Sequence, residues 1–382
     1  MVLVFMELWA IVSKPDAICV RNKEAPKSPI LKVHSASLWQ FLVHGKLRLV
    51  AKIFKDGCPA PASFSRYAIK GTLKEVFRTM LERYTYQAAL AASEVIHWRI
   101  EDIIGGEKRL DFAKPFMPEA LARVEELAFL DREEKLILNQ IRGNAYLSIF
   151  GLVEEFILPF VLDQARPHLS GDDYRVRALL QFAGEEAKHI QLFKRFRQEF
   201  EEGFGTYCPV IGPPEAIASA ILAHDPLGVA LTTLHIEWMV QRHYVESVKD
   251  DQELDPQFKS LLKHHWLEEV QHAKLDTLMV QSLAEGRKEK EIMEGVEEYL
   301  AIGGFIDGGL KTQVELDLDS FERAVGRELK DEQREEFRRK QLQANRWTYL
   351  GTGMTHEKVL ATLEWLSPAA RQKVESISPI FS

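Results

Sequence analysis

LLQFAGEEAKHIQLF at 179–193 and LLKHHWLEEVQHAKL at 261–275 each carry a Glu-x-x-His signature, Glu186 with His189 and Glu269 with His272. On a helix, residues three apart share a face, so each pair can aim a carboxylate and an imidazole at one point. An isolated glutamate precedes each pair by the same 32 residues, Glu154 before Glu186 and Glu237 before Glu269. Four antiparallel helices need that doubled spacing to bring four carboxylates and two imidazoles together. It predicts a dinuclear metal site. Iron is the first choice, and the same ligands accept manganese or a mixed Mn/Fe pair.

The flanking sequence places the signatures on long helices. One runs from about Arg132 to Ala165 and a second from Asp172 to about Glu202. The third and fourth start at Asp225-Pro226 and Asp255-Pro256, where Asp can cap free N–H groups and Pro suits the first helical position. They fade near Asp250 and Gly286. Short turns join the first helix to the second and the third to the fourth, whereas about twenty residues, GFGTYCPVIGPPEAIASAILAH, separate the second from the third. Two hairpins and one long crossover describe a ferritin-like four-helix bundle. The expected class is all-α, with additional N- and C-terminal helices. The expected layout is an irregular proline-broken arm over 1–70, a bundle domain over 71–300 and a helical extension over 301–382 packed on the same domain. Before the bundle, a helix is expected from about Thr72 to Ile104 and a shorter one from Pro118 to Leu130.

Helical faces select among the glutamates. Glu154 shares its face with Leu147, Phe150, Ile157, Leu158 and Val161, where an ionised carboxylate would be costly unless paired or metal-bound. Glu155 lies beside Asn144, Ser148 and Gly151 and is more easily solvated, so Glu154 is preferred. Glu237 lies with Leu234, Val240, Tyr244 and Val248, whereas Glu246 sits among charged neighbours. His265 precedes Glu269 by four and His272 by seven, so the three form one stripe. His265 is either a ligand or a core histidine bonded to a carboxylate, and beside an assembled site it is taken as a ligand. His264 points elsewhere. In a chain with 12 histidines, roughly one Glu-x-x-His arises by chance. Glu94-Val-Ile-His97 lacks a partner at matching spacing and is read as that one.

A net charge of -8 offers nothing to a phosphate backbone, so nucleic acid is not an expected partner. Cys19, Cys58 and Cys208 form no disulfide or zinc pattern, which suits a reducing compartment. The apolar opening run MVLVFMELWAIV is too short to span a bilayer, contains Glu7 and lacks a basic leader, so neither a membrane span nor a secretory signal is expected. Cytoplasmic localisation is the expectation.

The order Glu, Glu-x-x-His, Glu, His-x-x-x-Glu-x-x-His, over roughly residues 130–285, resembles the p-aminobenzoate N-oxygenase family of ferritin-like di-iron oxygenases. The resemblance implies a site of three histidines and four carboxylates: Glu154, Glu186, His189, Glu237, His265, Glu269 and His272. In related di-iron families an acid precedes each paired Glu. By that resemblance Glu268 would hold His189 and Glu185 would hold His272 from the opposite helix, the alternative for both being a surface glutamate. A ribonucleotide reductase small subunit normally has a tyrosine four residues after the first paired histidine, and here that residue is Phe193. The expected function is a di-iron oxygenase that uses O2 to oxidise a small organic substrate, with N-oxygenation of an amine as the finer reading. An external reductase or ferredoxin would supply electrons, and a homodimer is left open. The alternatives are a desaturase or hydroxylase of acyl chains and a non-catalytic iron-binding protein. Gly151, Ala183, Gly184 and Ala187, beside the ligands, would either leave room for O2 or substrate or allow close helix packing.

Overall fold

The computed structural model describes residues 84–382, all within one compact unit, Gly71–Ser382. The 1–70 arm, the start of the helix expected from Thr72, and Cys19 and Cys58 lie outside the described residues. Helices are numbered from the first one described.

The four bundle helices are α4 (Arg132–Ala165), α5 (Asp173–Phe204), α7 (Pro226–His243) and α8 (Pro256–Ala284). Their ends follow local chemistry. Asp131 accepts from the Glu134 N–H while Glu134 reaches back to the Asp131 N–H, a reciprocal cap. Asp172 accepts from Arg175 N–H, Asp225 from Leu227 N–H and Asp255 from Phe258 N–H. Gly205 closes α5 at φ 79°, a conformation that costs glycine little. Helix α7 continues through a π-helical turn, Tyr244–Val248. α4 packs on α5 and α7 on α8, while the crossover carries α6 (Pro214–Leu222), which lies against α4.

Ahead of the bundle the expected single helix is broken. α1 (Tyr86–Ser93) and α2 (Ile100–Ile103) are separated by a non-helical stretch that buries Trp98 against α5 and α8. The expected Pro118–Leu130 helix is the short α3 (Glu119–Ala122), which ends at Arg123 in the left-handed region (φ 48°), followed by a 3-10 turn at Val124–Glu126. After the bundle come α9 (Glu289–Val325), α10 (Asp331–Arg346), a π-helical turn (Trp347–Gly351), α11 (Thr352–Met354), α12 (Glu357–Leu366) and α13 (Pro368–Ile377). α9 runs unbroken through residue 300 and packs on both α4 and α7, so the chain has no break where the bundle was expected to end. No strand occurs among the described residues.

α7 and α9 cross with little space between their backbones. A Cβ on Gly228 would stand 2.6 Å from Glu298 Cβ, and one on Gly295 would stand 2.8 Å from Leu227 Cδ2. Among the described residues one helical stretch, Arg132–His168, is long and apolar enough to cross a bilayer. It includes the core helix α4, and 61% of its apolar window is buried.

Candidate metal centre

α4 contributes Glu154; α5 contributes Glu185, Glu186 and His189; α7 contributes Glu237; α8 contributes His265, Glu268, Glu269 and His272. None of the nine is more than 4% exposed. Two groups of side chains present ligand atoms that all lie within 4.8 Å of one another. One is Glu154, His189, His265 and Glu269; the other is Glu186, His189, Glu269 and His272. His189 and Glu269 belong to both, so the two groups are adjacent.

The imidazoles are oriented from behind. His189 Nε2 lies 2.8 Å from Glu268 Oε2, and His272 Nε2 lies 2.8 Å from Glu185 Oε2. Each of these glutamates comes from the other hairpin's helix. Carboxylates on that side fix ring orientation and leave the second nitrogen for the site. His189 Nδ1 sits 3.0 Å from Glu269 Oε1 and 3.6 Å from Glu186 Oε2. His272 Nδ1 sits 2.7 Å from Glu269 Oε2 and 2.8 Å from Glu186 Oε1. His265 Nε2 lies 2.6 Å from Glu269 Oε1 and 3.3 Å from Glu154 Oε1. Glu237 stands outside both groups but shares a hydrogen bond with Glu269.

The buried charges of this cluster act strongly on one another. Burial raises the Glu237 carboxyl, and Glu269 beside it raises it further, which favours its protonated form. Burial would raise Glu269 too, but His272 and His265 hold it well below the ordinary carboxylate range. Burial works to lower His189 and His272, yet Glu269 above all, with Glu186, holds both well above the usual imidazole value. For His265 burial wins over Glu269, and its value is lowered. Even so, Glu154 Oε2, Glu237 Oε2, Glu269 Oε1 and both Glu186 oxygens are buried without a hydrogen bond of good geometry. Buried carboxylate oxygens left so are costly, and cations would satisfy them. Oxygen and imidazole donors in this ratio fit iron or manganese.

The remaining expectations sort by position. Glu155 is at the bundle surface, 3.4 Å from Lys194, and Glu246 is exposed, 3.2 Å from the half-buried Arg242. Glu94 and His97 are exposed and not on one helix; Glu94 pairs with Arg177 at 3.1 Å. His264 accepts no role in the cluster, its Nδ1 donating to Ser260 O at 2.7 Å. Of the small residues, Gly184 and Ala187 are exposed and face away, while a Cβ on Gly151 would only touch Phe193 Cβ at 3.8 Å. None of the four lines the apolar cavity between α4, α6, α7 and α9. That cavity, ≈ 260 Å³, is walled by larger side chains including Phe150, Val153, Ile236, Met239, Phe305 and Tyr349, and no charged residue lines it. Phe150 also meets His265 in a T-shaped contact at 5.7 Å between centroids, so one ring separates cavity from cluster.

Sequence reasoning missed several supports. Ser93 Oγ and Gln181 Nε2 donate to Glu185, Lys188 Nζ donates to Glu268, and Lys188 lies 3.8 Å over the Trp98 ring. These come from distant segments and carry no motif. Asp276 is different. It is fully buried one turn beyond His272 with Thr233 beside it, neither oxygen has a hydrogen bond of good geometry, and burial raises its carboxyl. The stripe 265–269–272–276 was open to extension from the sequence.

No family model matches the chain, and no curated protein is similar to it. Among solved structures the chain is similar to a variant of an R2-like ligand-binding oxidase with an aerobically reconstituted Mn/Fe cofactor. The identity is 15%, 70% of this chain and 96% of that chain are covered, and the TM-score is 0.40. A variant of an R2-like ligand-binding oxidase with an Fe/Fe cofactor gives 16% identity, 70% and 93% coverage, and a TM-score of 0.36. A superposition this loose assigns no chemistry to this chain.

Proposed function

We propose that the protein is a non-haem oxygenase that binds two iron ions, or a Mn/Fe pair, and oxidises a small apolar substrate with O2. The observation that carries this reading is the pair of buried groups sharing His189 and Glu269, with carboxylate oxygens that lack a hydrogen bond of good geometry. Glu154, Glu186, His189, Glu237, His265, Glu269 and His272 would hold the metals. Such a pair, when bound and reduced, supplies the electrons that activate O2.

The chain's own residues supply the rest. Glu268 and Glu185 hold the imidazoles of His189 and His272 through Nε2, leaving Nδ1 turned toward Glu186 and Glu269, where it would serve as a ligand. Glu237, hydrogen-bonded to Glu269, would complete the ligand set on losing its proton. Phe150 and Phe193 pack against His265 and exclude water from that side. The cavity beyond Phe150 gives an apolar substrate a place within one ring of the centre.

N-oxygenation of an amine is the finer reading implied by the three-histidine pattern. The uncharged lining favours a neutral arylamine over one bearing a carboxylate, which would lack a cationic partner there. Hydroxylation or desaturation of an acyl chain is the second reading, supported by the same lining. An external reductase or ferredoxin would deliver electrons in either case. The test is O2 uptake by the anaerobically iron-loaded chain, with and without candidate amines and acyl esters. Uptake coupled to one substrate class is expected. Binding of many irons per chain without substrate-coupled O2 uptake would instead establish a storage protein.

A further inference from the structure

Away from the carboxylate cluster, a second buried polar network surrounds His243 at the end of α7. The Tyr146 hydroxyl, on α4, lies 2.9 Å from His243 Nδ1, and His243 Nε2 lies 2.9 Å from Thr352 Oγ1. The next partner fixes the direction of both bonds. The Thr352 hydroxyl donates to the Thr348 carbonyl at 2.8 Å, so its oxygen accepts from His243, and Nε2 carries the ring proton. Burial lowers His243 to about 3, which keeps the ring neutral and Nδ1 bare. Tyr146 O–H therefore donates to Nδ1.

The same tyrosine is joined to the candidate centre by aromatic contacts. Its ring lies 4.6 Å from Phe150, and Phe150 lies 5.7 Å from His265. His265 Nε2 is 2.6 Å from Glu269. A buried phenol loses an electron readily only when a base takes its proton in the same event, because the radical cation is a far stronger acid than an imidazolium. His243 Nδ1 is such a base, already aimed.

We propose that Tyr146 is a redox-active residue that gives one electron through Phe150 and His265 to the oxidised metal pair and passes its proton to His243 Nδ1. The phenolic O–H bond breaks and an N–H bond forms on His243. Tyr146 becomes a neutral phenoxyl radical, and the metal pair, the oxidant, is reduced by one electron. The step drains oxidising equivalents when the cavity holds no substrate. It rests on the oxygenase reading above. A second pair, Tyr299 with His235 Nδ1 at 2.7 Å, has the same polarity but stands outside the Phe150–His265 contacts and serves as a control.

The test uses the full chain loaded anaerobically with Fe(II), mixed with O2 in the absence of substrate and frozen within milliseconds. Metal content, O2 uptake and the electron paramagnetic resonance spectrum are read from the same preparation. Wild type is expected to give a tyrosyl signal that narrows with ring-deuterated tyrosine. The signal should be lost in Tyr146→Phe, reduced in His243→Gln, and kept in Tyr299→Phe, with metal content and O2 uptake unchanged. O2 uptake without a tyrosyl signal in wild type, or a signal surviving Tyr146→Phe, overturns the proposal while leaving the oxygenase reading intact. Metal-loaded wild type that takes up no O2 overturns both. Should Tyr146→Phe fail to fold, nitrogen NMR of labelled histidine in the metal-free wild type decides. A neutral His243 protonated at Nε2 is expected, and a proton on Nδ1 overturns the proposal.

Discussion

Glu154 and Glu155 are neighbours in sequence with opposite environments. Glu154 is 2% exposed among the imidazoles, whereas Glu155 meets Lys194 at the surface. Glu154→Ala should therefore bind less iron than wild type while Glu155→Ala binds as much, by elemental analysis of desalted protein; equal losses would remove Glu154 from the ligand set. Protons sharpen the same point. His189 and His272 are held well above the ordinary histidine range in the metal-free protein. A raised basic group stabilises the fold fully below its unfolded value, near 6.5, and that stabilisation is lost as pH rises through the folded value. Metal ligation needs the neutral ring, so binding displaces these protons and affinity falls as pH falls. Calorimetric titration in buffers of different ionisation heat should show net proton release on metal binding; uptake would contradict the charge assignment. At this scale the sequence was most legible, because spacing and face exposed seven candidate ligands. Ser93, Gln181 and Lys188 were not legible, since a hydrogen bond between distant segments leaves no local pattern.

Helix starts were readable where the physics is local. Asp225 and Asp255 cap as their sequence context implied, and Asp131 and Asp172 do the same for the other two bundle helices. The break between α1 and α2 was not readable, because it is set by burying Trp98 against His189 and His264 rather than by any local breaker. Nor was the intimacy of α7 and α9, which depends on two glycines from distant segments. Gly228→Ala would place a methyl against the α9 backbone, with Tyr299 N only 3.0 Å away. Overpacking of this kind costs about 1–3 kcal/mol. Urea denaturation should show that loss with an unchanged slope, and a stability equal to wild type would mean the helices separate freely.

For the molecule as a whole, the extra helices wall the cavity rather than decorate the bundle. α9 supplies Phe305, Ile306, Gly309, Leu310 and Thr312 to its lining, and the turn after α10 supplies Tyr349. The bundle's four helices could be read from the sequence, but this role could not, since apolar residues on several helices converge only in the fold. A chain ended at residue 300 would cut α9 and expose the apolar faces of α4 and α7 that it covers. It should aggregate or unfold without a cooperative transition by circular dichroism; a soluble, cooperatively melting fragment would show the bundle to be self-sufficient. The central claim is two metal ions within one cluster. A crystal structure of iron-loaded wild type, with anomalous data at the iron edge, tests it most directly. The account predicts two neighbouring peaks per chain among the side chains of the two groups, with His189 and Glu269 between them. A single peak, peaks scattered over the surface, or none at all would contradict it.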